Sequence, residues 1–80
     1  MIELRFHEEL YDGFAIDEAV KTYADFATAE MSRDGTAFVV RVTARPEAAE
    51  RGVTEPVLCA ELANYALGLT IERAQAGGGA

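Results

Sequence analysis

The chain has 80 residues, with 7 Lys plus Arg against 14 Asp plus Glu, for a formal net charge of −7 with its single His neutral. That length admits one small domain with a marginal core. The acidic balance speaks against nucleic acid or an anionic membrane as partner, and a hydrophobic content of 50% excludes a disordered chain.

With one Cys and one His, the chain can form no internal disulfide and carries no Cys/His metal spacing. Oligomerisation is then the remaining common way to stabilise so small a domain, so a homodimer or a hetero-complex with a protein or peptide is expected. Met1-Ile2-Glu3-Leu4-Arg5 is charged and alternating rather than apolar, unlike a secretory signal. No apolar run approaches the length of a membrane span. A reducing cytoplasm is the expected setting for the unpaired Cys59.

Ile2 to His7 alternates, with Ile2, Leu4 and Phe6 facing one way and Glu3, Arg5 and His7 the other, which predicts a half-buried strand. Tyr11-Asp12-Gly13 breaks it. From Phe14 to Ala27 the period changes: Ile16, Ala19, Val20, Tyr23, Ala24 and Ala27 form one apolar helical face. Asp17 and Glu18 are expected in the first turn of that helix, where its dipole favours negative charge. Phe26 is off the stripe and is placed at the helix end.

Thr28 to Arg45 holds a hairpin. Asp34-Gly35 between two strand-like runs predicts a type I′ turn. The first arm is Ala27 to Arg33. In the second arm Phe38, Val40, Val42 and Ala44 alternate with Val39, Arg41, Thr43 and Arg45, and its apolar character places it at the centre of the sheet. Pro46 stops this strand. Glu47 to Arg51 reads as a single helical turn within a solvated connector, ended by Gly52.

A second helix is expected from about Glu55 to Gln75, with Thr54 as N-cap and Pro56 in its first turn. It carries two apolar stripes, one of Leu58, Leu62, Tyr65, Ala66 and Leu69, the other of Cys59, Ala63, Leu67, Ile71 and Ala74. Glu61, Asn64, Gly68, Glu72 and Gln75 leave only a narrow polar strip. Gly68 within the helix fits either the close approach of another chain or a bend. The ordered domain is taken as residues 1–76, with 77–80 a flexible Gly-rich tail.

This order predicts an α+β fold: a β-α-β-β-α two-layer sandwich whose three-stranded mixed sheet runs 1-3-2, with two helices on one face. It corresponds to a ferredoxin-like split βαβ fold without its last strand. The absent strand would lie beside Ile2–His7, leaving that strand an open edge. The open edge and the second apolar stripe together define an expected interaction surface of Ile2, Leu4, Arg5, Cys59, Ala63, Asn64, Leu67, Gly68 and Ile71.

Candidate chemistry is sparse, and no catalytic residue, metal or cofactor is expected. His7 is followed by Glu8 and Glu9, but neighbouring residues on a strand point apart, so a solvated edge is the simpler reading. Cys59 lies early in a helix, where thiol pKa values fall. It has no base to orient it, and a packed apolar role fits it better. Tyr23 and Tyr65 read as core aromatics, and Asn64 as a polar-strip residue open to recognition.

The segment Ile2-Glu3-Leu4-Arg5-Phe6-His7 to Tyr11, then Ala19-Val20-Lys21 with Tyr23 and Phe26, a short hairpin, and Glu61-Leu62-Ala63-Asn64-Tyr65-Ala66-Leu67-Gly68-Leu69-Thr70-Ile71-Glu72 resembles the His-Xaa-Ser system protein HxsD and its HxsD-like relatives. The likeness covers roughly residues 2–75 through loose hydrophobic patterns. It implies an accessory component of systems that pair radical-SAM proteins with peptides bearing His-Xaa-Ser repeats, and it carries over no catalytic residue. The chain has no Cys triad for an iron–sulfur cluster. A non-enzymatic interaction or scaffolding module is therefore the first expectation. The alternatives are a small-molecule-sensing ferredoxin-like regulatory domain and an enzyme subunit whose site forms across an interface, with His7 or Cys59 contributing.

Overall fold

The most apolar strand of the sequence takes the middle of the sheet. The computed structural model describes residues 1–78. In chain order they form β1 (Ile2–His7), α1 (Gly13–Thr22), β2 (Ala27–Asp34), β3 (Ala37–Ala44), α2 (Pro46–Glu50) and α3 (Glu55–Gly78). The strands are ordered β1-β3-β2, as expected, and the fold is α+β. Both ladders are antiparallel, so the sheet is not mixed: β1 and β2 run parallel to each other but never touch, because β3 lies between them.

The inner face of the sheet contributes Phe6, Val40 and Val42 to a core completed by Ile16 and Ala19 of α1 and Leu58, Leu62 and Ala66 of α3. Strand alternation sends these residues to one side, and the first apolar stripe of α3 meets them there. The first stripe thus covers β1 and β3, while α1 packs along the flank of α3. An edge-on contact between Tyr23 and Tyr65, with centroids 6.2 Å apart, marks that helix–helix seam.

The predicted first helix is too long at its C-terminal end. α1 stops at Thr22, and Ala27, assigned to its apolar face, is instead the first residue of β2, paired with Ala44. The intervening turn is held by Arg45, whose backbone N–H donates to Phe26 O (2.8 Å) and whose Nε donates to Ala24 O (2.7 Å). Ladder bonds with β3 outweigh helical periodicity here, and Ala27 is buried either way. Because α1 begins at Gly13, Asp17 and Glu18 are not in its first turn; they face Lys21, whose Nζ lies 2.8 Å from Asp17 Oδ2.

The hairpin turn is shifted by one residue from the expectation. Asp34 pairs with Ala37, so Gly35 and Thr36 are the central residues. Only Gly35 has positive φ, at 59°, which is the type II′ rather than the type I′ pattern. At the other end of β3, Pro46 opens the short helix α2, and a Schellman motif closes it: Val53 N–H donates to Ala48 O (2.9 Å) and Gly52 N–H to Ala49 O (3.0 Å), with Gly52 at φ 82°.

α3 begins as expected at Glu55 behind Thr54, whose Oγ1 accepts the Val57 N–H at 3.5 Å. It continues past Gln75 to Gly78, so Gly77 and Gly78 extend the helix rather than a tail; Gly79 and Ala80, the rest of the expected tail, lie outside the described residues.

Since an L side chain at the φ of Gly52 crowds the following carbonyl, Gly52→Ala is expected to lower stability by about 1–2 kcal/mol. Thr54→Ala removes a long capping bond and is expected to cost about 0.5–1 kcal/mol. Urea titration followed by circular dichroism checks both, and an unshifted midpoint for Gly52→Ala would contradict the cap.

Candidate interaction surface

β1 has β3 on one side and no strand on the other. Which of its backbone groups face outward follows from the register. Glu8 N–H donates to Thr36 O (2.9 Å), one step beyond the His7↔Ala37 pair. Bonding toward β3 alternates along an antiparallel strand, so Ile2, Leu4 and Phe6 direct their N–H and C=O toward β3. Glu3, Arg5 and His7 direct theirs toward the open edge. The His7 carbonyl is consumed locally by the N–H groups of Leu10 and Tyr11, both at 3.0 Å. Glu3 and Arg5 thus carry the exposed row of donors and acceptors.

The edge is flanked on the helical side by α3. Tyr65 faces α1, so the opposite side of α3 overlooks β1, and it carries Ala63 and Leu67 at helical spacing. Leu67 is 41% exposed and Ile71 48%. Ile2, Leu4 and Ala63, which pack against the core, are themselves only half-buried. Ile2, Leu4 and Ala63 thus border the row of unpaired backbone groups on the helical side, with Leu67 one turn further along α3.

The start of α3 is fixed beside β1 by Glu55. Its Oε2 accepts the Ala44 N–H at 3.0 Å, and its Oε1 lies 2.8 Å from the Met1 ammonium. The ammonium contact first, and the Ala44 N–H second, hold the Glu55 carboxyl below its ordinary value. At the far end, Thr70 Oγ1 accepts the Asp12 N–H (3.2 Å) and donates to Ala66 O (2.7 Å), while Arg73 pairs with the Asp12 carboxylate. α3 is thus pinned at both ends of β1.

The outer sheet face has its own cover. Arg5 crosses β3 to reach Asp34 Oδ2 at 2.7 Å, passing between Val39 and Ala37 in the register. Val39, an apolar residue on the polar face, is consequently only 3% exposed. Glu3 lies 3.6 Å from the Arg5 guanidinium and 3.5 Å from Arg41 Nε.

The expected surface residues divide three ways. Ile2, Leu4, Arg5, Ala63 and Leu67 border the open strip. Asn64, Gly68 and Ile71 are exposed but turned from it; Gly68 borders a shallow groove with Tyr65, Leu69 and Glu72, and a Cβ there would meet nothing within 4 Å. Cys59 does not belong to the surface. It is 6% exposed within the core, because Leu58, Cys59 and Leu62 all descend onto β3 and β1. Burial first, and the Glu55 carboxylate second, push its thiol above the ordinary value, the reverse of helix-terminus activation.

Little else in the molecule converges. His7 is exposed, with Thr36 Oγ1 as its neighbour at 3.4 Å, and the adjacent Glu8 is paired with Arg33. Among the described residues no group of three His, Cys, Asp or Glu side chains could hold a metal ion. An open cleft of ≈ 340 Å³ lies between the Glu8–Asp12 turn and the Thr70–Ala74 stretch of α3. Its one cation, Arg73, is engaged by Asp12 and stacked 4.2 Å over the Phe14 ring. No helix among the described residues is long and apolar enough to cross a membrane.

Comparison with protein-family models, curated proteins and solved structures gives no match. The strip beside β1 was partly legible in advance. The Arg5–Asp34 strap and the double role of Glu55 had no local signal, since both join residues distant in sequence.

Two outcomes follow from these environments. Cys59 should react with iodoacetamide at least about tenfold more slowly in the folded chain than in urea, because its thiol is buried and held neutral; equal rates would place it at the surface. Glu55, with a folded pKa below the ordinary 4.5, contributes stability that is present above that value and lost as pH falls through the lowered one. Glu55→Gln should therefore be less stable than the parent at neutral pH, and the gap should close in acid denaturation curves at the low end.

Proposed function

We propose that this chain is a non-enzymatic protein-interaction or scaffolding module, working in the cytoplasm as an accessory subunit of a radical-SAM-associated peptide-modification system. One observation carries the interaction role. The unpaired backbone edge at Glu3 and Arg5 is bordered on its helical side by an apolar flank of α3 at Ala63 and Leu67. Strand addition needs such an edge, and a neighbouring apolar strip supplies the side-chain contacts that make it stable and specific. The pathway rests on the sequence resemblance alone.

Reconstitution tests the proposal. A radical-SAM peptide-modifying enzyme, a peptide with His-Xaa-Ser repeats and this chain are combined, and the modified peptide is followed by mass spectrometry. Modification should fall at least about tenfold when the chain is omitted, and equally with the Leu67→Asp variant, whose substitution introduces charge into an apolar contact. The same yield without the chain, or with that variant, would overturn the proposal.

A further inference from the structure

We propose that the open edge of β1 receives a second copy of this chain, pairing β1 with β1 antiparallel about a two-fold axis at Leu4. This rests on the interaction role proposed above and names its occupant.

Cross-strand partners in a ladder share a face, so Ile2, Leu4 and Phe6 must oppose one another, and Glu3, Arg5 and His7 likewise. This leaves three two-fold registers near the middle of the strand. Centring on Arg5 sets Arg5 against the partner's Arg5, and centring on Glu3 sets Glu3 against the partner's Glu3. Both place like charges directly opposite, which is destabilising. Centring on Leu4 sets Glu3 against the partner's Arg5, Arg5 against the partner's Glu3, and Ile2 against the partner's Phe6. The strand is complementary to itself in this register alone.

The backbone agrees. Glu3 and Arg5 are the residues whose N–H and C=O face outward, as the Glu8–Thr36 bond fixes. In the Leu4 register each Glu3 exchanges both backbone bonds with the partner's Arg5. The exposed donors and acceptors of the edge are thereby used on both copies. In the dimer the Arg5 guanidinium, which in the single chain reaches across β3 to Asp34, turns back over β1 to meet the partner's Glu3.

The helices fit the same axis. α3 lies over β1 and β3. With strands about 4.8 Å apart, a helix midway between those two strands lies about 4.8 Å from the axis. The two α3 helices would then be about 10 Å apart, within the usual range for packed helices. Ala63 and Leu67 occupy the facing flank, so a small residue and a large one are available on each side, and the result is a six-stranded sheet whose inner face is covered across the junction.

Sedimentation equilibrium on the full chain, from micromolar to near-millimolar concentration, tests this with three variants. The parent should be dimeric. Glu3→Arg and Arg5→Glu should each dimerise about tenfold or more weakly, since each sets like charges opposite. Mixing these two single variants should restore dimers, and the double variant Glu3→Arg/Arg5→Glu should restore them alone. In a Cys59→Ala background, Leu4→Cys should form an intermolecular disulfide under mild oxidation, because a non-hydrogen-bonded pair brings Cα atoms to about 4.5 Å; Ile2→Cys should not. This second readout stands even if a charge variant fails to fold. A monomeric parent, or failure of both the mixture and Leu4→Cys to associate, would overturn self-pairing. It would leave the broader interaction role to the reconstitution, whose own failure would not alter the dimer.

Discussion

Everything in this small fold hangs from β3. It is the one strand with a partner on each side, and Val40 and Val42 beneath it are fully buried. A chain of this size cannot bury enough surface for redundancy. Removing β3 from the middle would separate β1 from β2 and leave α1 and α3 with nothing between them and solvent. The apolar density of Ala37–Ala44 is thus a requirement of position as well as of strand formation. Val39 shows how strict the requirement is: even the polar face of β3 holds an aliphatic residue, which Arg5 roofs over.

The two outer strands resolve their exposed edges differently. β2 is solvated along most of its length, with Glu30, Ser32, Arg33 and Asp34 exposed. Charge along an edge discourages pairing by other chains. β1 has charge too, but its two central charges are of opposite sign and separated by one residue. Such a pattern repels a uniform neighbour and accepts its own reverse. The acidic character of the chain as a whole then keeps the remaining surface solvated.

The sheet order could be read from the sequence because strand periodicity and the apolar run at Phe38–Ala44 are strong local signals. Thr54, Pro46 and Gly52 likewise announced their roles through backbone chemistry. Where the reading failed, a longer-range contact had overruled a local one. Ala27 satisfies a helical stripe and a strand ladder equally well, and Arg45 decides between them from eighteen positions away. Cys59 shares its stripe with Leu67 and Ile71, yet each four-residue step turns about 40° around the helix, so the stripe begins in the core and has left it by Leu67. The clamps at Glu55, Asp12 and Arg5 are invisible in sequence because they join distant residues.

The order in which the sheet closes has its own consequence. β2 and β3 meet through a two-residue turn, so the hairpin forms at small entropic cost. β1 must return to β3 across the whole of α1 and β2, with Ile2 reaching Val42. The hairpin therefore offers the free side of β3 before its own β1 arrives. At high local concentration, during synthesis above all, a β1 from a neighbouring chain competes for that same site. The long excursion of β1 makes its docking onto β3 the step of highest sequence separation in forming the sheet.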